Sequence, residues 1–140
     1  MSRPSLLVLA LVLTLAPRIE GQSREDSVAV RGAAADYIEG WHTGDADRMA
    51  KALHPELVKR ILASDTAGNA WIGAMGATEL IRGTMMGGGK SAPPAAKRAD
   101  IRILDIFQNA ASVRIDAGGW IDYLHLVRWK GAWAILNVLW

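Results

Sequence analysis

The sequence predicts an α+β domain in which three N-terminal helices pack on a curved, mainly antiparallel sheet. Three observations carry that expectation. Apolar residues recur at helical spacing in the first half, the texture changes to period two from Ala99, and compact turn-type connectors separate the later runs. With 140 residues, 51% of them hydrophobic, the chain suits one domain with a sizeable core.

The first 22 residues read as an address rather than as structure. Arg3 supplies a positive start, and Leu6 to Leu15 is apolar apart from Thr14. That run is too short to cross a hydrocarbon layer of roughly 30 Å as a helix, and Pro17 follows it. The pattern is that of a secretory signal peptide over residues 1–21, cleaved after Gly21, which leaves a single domain over 22–140. The expectation is an exported protein, periplasmic or secreted, with no stable membrane insertion once the leader is gone. An uncleaved membrane anchor is the alternative.

Within the domain, Ser23 to Asp26 supplies Ser, Glu and Asp for a helix start. Val30, Ala33, Ala34, Tyr37, Ile38 and Trp41 then form one apolar stripe, and Gly44 fits the left-handed position that ends a helix. Asp45 caps a second helix from Ala46 to Leu53, with Met49 and Leu53 buried. Pro55 stops it and biases His54 to extended backbone, where the chain turns. Glu56 to Ala63 fits a strand or a further helical turn. Trp71 to Met75 reads as a short strand, and Ala77 to Met86 as a third helix followed by Gly87-Gly88-Gly89 and a loop to Arg98.

Four strand-like runs follow: Ile101–Phe107, Ala111–Ala117, Ile121–Trp129 and Trp133–Trp140. Gln108-Asn109 and Lys130-Gly131 are hairpin connectors, with Asn or Gly available for positive φ. The last run is apolar on both faces, as a central strand covered on both sides would be.

Composition excludes several function classes. Sixteen basic against 14 acidic residues give a net charge of only +2, without the clustered basic surplus of a nucleic-acid binder. Without residues 1–21 the balance is almost neutral, so electrostatic steering is a weak guide to partners. The absence of cysteine removes disulfides, thiolate metal sites and nucleophilic thiols. No two histidines have close ligand spacing, and Asp45 and Asp47 are accounted for by helix capping, so no metal and no cofactor is expected. Gly87 to Ser91 imitates a phosphate loop, but the required first glycine is Thr84 and the run follows a helix, not a strand.

The order helix, helix, short strand, helix, meander resembles the nuclear transport factor 2-like superfamily. The wording is closer to one branch, the putative lumazine-binding family, relatives of the SnoaL-like polyketide cyclases. The segments that carry this are Tyr37-Ile38-Glu39-Gly40-Trp41 with Gly44-Asp45, and Ala52-Leu53-His54-Pro55-Glu56-Leu57. They continue in Trp120-Ile121-Asp122-Tyr123-Leu124-His125-Leu126 and the final Trp133 to Trp140. The resemblance implies a cone whose mouth opens between the first helix and a concave sheet, with the ligand inside. It also implies homodimers paired through the outer sheet face.

The candidate site residues follow. The resemblance puts His54 at the pocket rim, as a base; its plainer role is to cap the carbonyls ending the second helix. Asp122 shares a strand face with Trp120, Leu124 and Leu126, whereas Tyr123 and His125 share the other. Only one face can line the cone. Asp122 among Trp and Leu suits a proton donor, or else a buried acceptor for backbone or Trp N–H groups. Tyr37 and Trp41, beside Asp36 on the inner stripe, offer a phenol and a stacking surface to a ligand, or simply fill core. Tyr123 and His125 are ligand candidates on the opposite face, His125 alternatively serving the core or a dimer face. Asn137 among apolar neighbours needs partners, from ligand or backbone. Six tryptophans invite stacking on a flat pteridine or flavin precursor, although they are scattered over the chain.

The leading expectation is therefore an exported binder of a small apolar or heterocyclic ligand. One alternative is an acid–base enzyme, an isomerase, dehydratase or cyclase, with His54 as base and Asp122 and Tyr37 as donors. Another is a protein-interaction module that uses exposed tryptophan on the outer sheet face.

Overall fold

A computed structural model describes residues 23–140; the expected leader and its cleavage position lie outside them. The elements are α1 (Arg24–Thr43), α2 (Ala46–Ala52), β1 (Leu53–Ser64), β2 (Ala70–Gly76) and α3 (Ala77–Met85). A 3-10 turn (Pro94–Ala96) leads to β3 (Asp100–Phe107), β4 (Ala110–Asp116), β5 (Ile121–Trp129) and β6 (Ala132–Leu139).

Local chemistry sets the helix ends. The Ser23 hydroxyl accepts from the Asp26 N–H at 3.0 Å and starts α1; Gly44, at φ 74°, ends it. Asp45 accepts from the Arg48 N–H at 3.0 Å to start α2. Gly40 lets the two helices touch, since a Cβ there would lie 3.1 Å from the Asp45 carbonyl oxygen and the Met49 nitrogen. Arg48 and Lys51 bind Asp36 across the same joint, at 3.0 and 2.8 Å, and Arg48 also holds Glu39 at 2.7 Å.

The helices do not form an N-terminal trio. Two strands separate α3 from α2, because α2 stops at Ala52 and the chain passes directly into β1. Pro55 cannot continue a helix, and the segment left open between strand and helix is the second part of this 12-residue strand. His54 is consequently built into a strand and does not sit at a chain turn.

The six strands run in the order β2-β1-β6-β5-β4-β3. Only β1 and β6 pair in parallel; the other neighbours are antiparallel. The doubly apolar β6 is central, between β1 and β5, but the helices cover one of its faces. The expected cover on both faces is not met, since Ala134, Leu136 and Asn137 are half-buried and Leu139 is exposed. In the β3–β4 hairpin Gln108 takes the positive φ, 51°, and Asn109 does not. Register shifts occur between Leu53 and Val58, Ile103 and Asp105, and His125 and Leu126. Such bulges bend strands and increase their twist.

All three helices lie against one face of the sheet. α1 packs on β3, β4 and β6, while α3 packs on β1 and β2. The core between the layers contains Val30, Ala34, Ile38, Met49, Val113, Ile115, Leu124, Leu126 and Ile135, each fully enclosed. Each Val, Leu, Ile or Met among them contributes about 1.5–3 kcal/mol by leaving water. The start of α1 is tied to the β5–β6 hairpin by Asp26, which accepts from Arg128 and from Trp133 Nε1.

Candidate functional site

Between the helices and the sheet lies a cavity of about 230 Å³. Tyr37, Ile38 and Trp41 of α1 form one wall, and Lys59 and Ile61 of β1 face them with Met75 of β2 and Leu80 of α3. Trp120, just before β5, and Trp140, just after β6, close one side, and Gly88, Gly89 and Ala92 close another. The glycine run serves packing. A Cβ on Gly88 or Gly89 would come within 2.3 or 2.4 Å of the Trp41 indole, so only bare backbone can lie flat on that ring.

Lys59 is the polar group at the centre of this apolar surface. Period two in β1 places Leu57, Lys59 and Ile61 on the helix-facing side, which carries the ammonium inward; the residue is only 8% exposed. Its Nζ donates to Tyr37 Oη at 2.8 Å and to Asp122 Oδ1 at 3.1 Å. It also stands 5.3 Å from the Trp140 ring centre and 5.6 Å from that of Tyr37. An ammonium has three N–H bonds, and the third finds no acceptor among the described residues.

Asp122 lies behind these groups, fully enclosed. Its Oδ2 accepts from the Tyr37 hydroxyl at 2.8 Å and from Trp120 Nε1 at 3.1 Å. One carboxylate therefore fixes three cavity-lining side chains: Tyr37, Lys59 and Trp120. Burial, then the charge and hydrogen bond of Asp122, hold the Tyr37 phenol well above its ordinary pKa. Burial pulls Lys59 below its ordinary value, outweighing the opposing pull of Asp122.

Trp120 is further held by Trp140, edge-on at 6.3 Å, and by His42, edge-on at 6.0 Å. His42 is buried, and its Nε2 has no partner among the described residues. Burial and the nearby Lys97 lower its pKa against a smaller contrary pull from Glu39, so the imidazole is favoured in its neutral form. Among the described residues no three His, Asp or Glu side chains gather as a metal site requires.

The structure brings together four of the residues singled out from sequence: Tyr37, Trp41 and Trp120 line the cavity, and Asp122 anchors them. It does not bring His54 there. The His54 Nδ1 accepts from the Glu56 N–H at 3.1 Å, and its ring stands edge-on to Trp129 at 5.0 Å, away from the cavity walls. The imidazole thus neither caps α2 nor faces Asp122 across the cavity. Tyr123 and His125 are exposed on the outer face of β5, because Asp122, Leu124 and Leu126 take the inner one. Asn137 pairs with His125 across β5–β6 and shares that outer face.

Lys59 and Trp140 were not visible as site residues in the sequence. For Lys59 the signal was the alternation Leu57, Lys59, Ile61, usable only once that segment is known to be a strand. Trp140 carries no local signal. What the assembled site can do chemically is specific: it can enclose a compact flat molecule between aromatic walls and set one oxygen of it on an ordered ammonium.

The comparisons agree with this architecture. A family model described as putative lumazine-binding matches residues 25–140. Among solved structures, an NTF2-like protein of unknown function from Shewanella baltica OS155 aligns with TM-score 0.60 and 20% identity, over 85% of this chain and 95% of that one. One from Methylobacillus flagellatus KT gives 0.56 and 21%, over 84% and 92%. A cystatin-like-fold protein of unknown function from Nostoc punctiforme PCC 73102 gives 0.58 and 13%, over 85% and 92%. No curated protein matches. With the family model running across nearly all of the described chain on an NTF2-like scaffold, the chain belongs to the putative lumazine-binding family.

Proposed function

We propose that this protein binds a small heterocyclic ligand inside the cavity, with an acceptor oxygen of the ligand on Lys59. The observation that carries the reading is the unspent N–H of an ordered, buried ammonium in a chamber walled by Trp41, Trp120 and Trp140. Lumazine, a two-ring dione, has that chemistry: flat faces for the indoles and carbonyl oxygens for the lysine. The 230 Å³ volume falls below the roughly 300–1,000 Å³ of sites for drug-sized molecules, which favours an occupant of one or two fused rings.

Calorimetric titration of lumazine into the purified domain tests this. The expected result is one site per chain, with affinity lost on Lys59→Met and on Trp41→Ala but kept on His54→Ala. Equal affinity in Lys59→Met, or no binding of lumazine and related pteridines to the native protein, overturns it. The acid–base alternative that relied on His54 draws no support from this geometry, since His54 does not line the cavity.

The same reading includes export by the leader over residues 1–21 and pairing of two copies through the outer sheet face. Exposed Leu62, Ile72, Tyr123 and Leu139 support the second point. Sequencing the N-terminus of protein recovered outside the cytoplasm should find Gln22 first. Sedimentation should return twice the chain mass.

A further inference from the structure

We infer that Lys59 captures carbonyl compounds covalently: an aldehyde or ketone that enters the cavity condenses with its amine to a reversible imine, and Asp122 serves as the counter-charge. This deepens the ligand reading above and rests on the same cavity. It extends that reading from molecules that touch Lys59 to molecules that bond to it.

Imine formation needs a reachable amine, a base beside it, and an environment that does not hold the nitrogen permanently as a solvated ammonium. Lys59 meets the three conditions. Its Nζ is on the cavity wall, held in place by Tyr37 Oη at 2.8 Å and Asp122 Oδ1 at 3.1 Å. Asp122 is the adjacent base. The remaining surroundings, Ile38, Ile61, Met75 and Leu80, offer no hydration to the charged form, and burial lowers the lysine accordingly. Lys51, by contrast, is exposed and paired with Asp36, and Lys90 and Lys130 are exposed to water.

The steps balance without an outside reagent. One ammonium proton passes to Asp122, and the freed lone pair forms a C–N bond to the carbonyl carbon while the π pair moves to oxygen. A second nitrogen proton reaches that oxygen, with Tyr37 Oη placed to relay it, and a neutral carbinolamine results. Asp122 returns its proton to the hydroxyl, the C–O bond breaks, water leaves, and the nitrogen lone pair forms the C=N bond. Ammonium and carbonyl have become iminium and water, with the net charge unchanged and Asp122 and Tyr37 restored. The iminium keeps the ammonium's place beside Asp122 and near the Trp140 and Tyr37 rings. The fitting substrate class is a flat aldehyde or ketone of one or two rings.

The test uses 2-naphthaldehyde with cyanoborohydride, which fixes the iminium as a stable secondary amine. The native protein is then digested and the modified peptides are identified by mass. The expected result is a single adduct on the Lys59 peptide, lost in Lys59→Arg, whose circular dichroism reports that the fold is retained. Adducts spread over Lys51, Lys90 and Lys130 with Lys59 unmodified overturn the inference, in the native protein and independently of any variant. Lumazine binding is measured on an untreated portion of the same preparation. If lumazine binds while Lys59 stays unmodified, imine capture fails and the ligand reading stands. If Lys59 is modified and lumazine does not bind, imine capture stands and the heterocycle reading fails.

Discussion

Truncating Asp122 to alanine strands three donors at once: the Lys59 ammonium, the Tyr37 hydroxyl and the Trp120 N–H. The Lys59 and Asp122 side chains are 10% and 1% exposed, so solvent screening relieves little of the loss. Breaking a buried pair by removing one partner costs about 3–5 kcal/mol. Lys59 can answer by releasing its proton, a step burial already favours, which places Asp122→Ala near the low end. At about 4 °C per kcal/mol for a domain of this size, the melting point should fall by about 12 °C. Lys59→Met leaves Asp122 two donors and should cost less. Combined with Asp122→Ala it removes both charges, so the double variant should be more stable than the two single costs predict, by about 2 kcal/mol. Urea unfolding followed by tryptophan fluorescence measures all four proteins. A loss under about 1 kcal/mol in Asp122→Ala, or single costs that simply add, would show that this pair is not the buried junction described here.

Other consequences are quicker to test. The sequence has two tyrosines, so Tyr123→Phe leaves Tyr37 alone. Its folded-state pKa is raised, so its stabilising contribution is full below pH 10 and is lost as pH rises through the folded value. Tyrosinate absorbance in that variant should stay absent at pH 10 and appear with unfolding; its appearance near pH 10 in folded protein would contradict the enclosure of Tyr37. At Asp36 burial pushes the carboxyl up, but Lys51 and Arg48 together outweigh it and hold it below 3.8. That stabilisation is present above the unfolded value and is lost as pH falls through the folded one, so Asp36→Asn should flatten the loss of urea midpoint on acidification. Gly89→Ala puts a methyl 2.4 Å from Trp41 Cδ1 and 2.6 Å from its carbonyl oxygen, and should cost about 1–3 kcal/mol in a thermal melt while weakening lumazine binding. His54→Ala should lower stability by about 1–3 kcal/mol through the lost Trp129 contact and Glu56 hydrogen bond, with lumazine affinity unchanged by calorimetry.

The parts that were legible in the sequence are those whose signals are local. Ser23, Gly44 and Asp45 mark helix ends through bonds spanning three or four residues, and the alternation in β4 and β5 marks strands within a residue of their limits. β1 was not legible as a whole because its parallel partner β6 lies far along the chain, and no turn announces such a pairing. Tyr37, Trp41, Trp120 and Asp122 could be singled out because aromatic and acidic groups stand out on an inner stripe. Parity alone could not choose between the faces of β5; the neighbours do, by packing Leu124 and Leu126 against the helices. Lys59 was hidden by the ordinary behaviour of lysine, which is almost never enclosed without a partner, and that partner sits on another strand. His54 drew attention for its place after a helix, a position that β1 absorbs.

The parallel seam between β1 and β6 also decides when binding competence can arise. Lys59 sits in a strand that stays an edge until β6 docks, and the Arg60 carbonyl and Leu62 N–H are paired with Trp140 beyond that strand. The first helix waits on the same hairpin, because Asp26 is held by Arg128 and Trp133. Contacts of such long sequence separation are made late in folding. Tyr37, Lys59 and Trp120 come from α1, β1 and the approach to β5, so occupancy of the cavity should report completion of the whole domain. A ligand there protects every element together, and amide exchange should slow across the sheet and helices alike rather than only at the cavity wall.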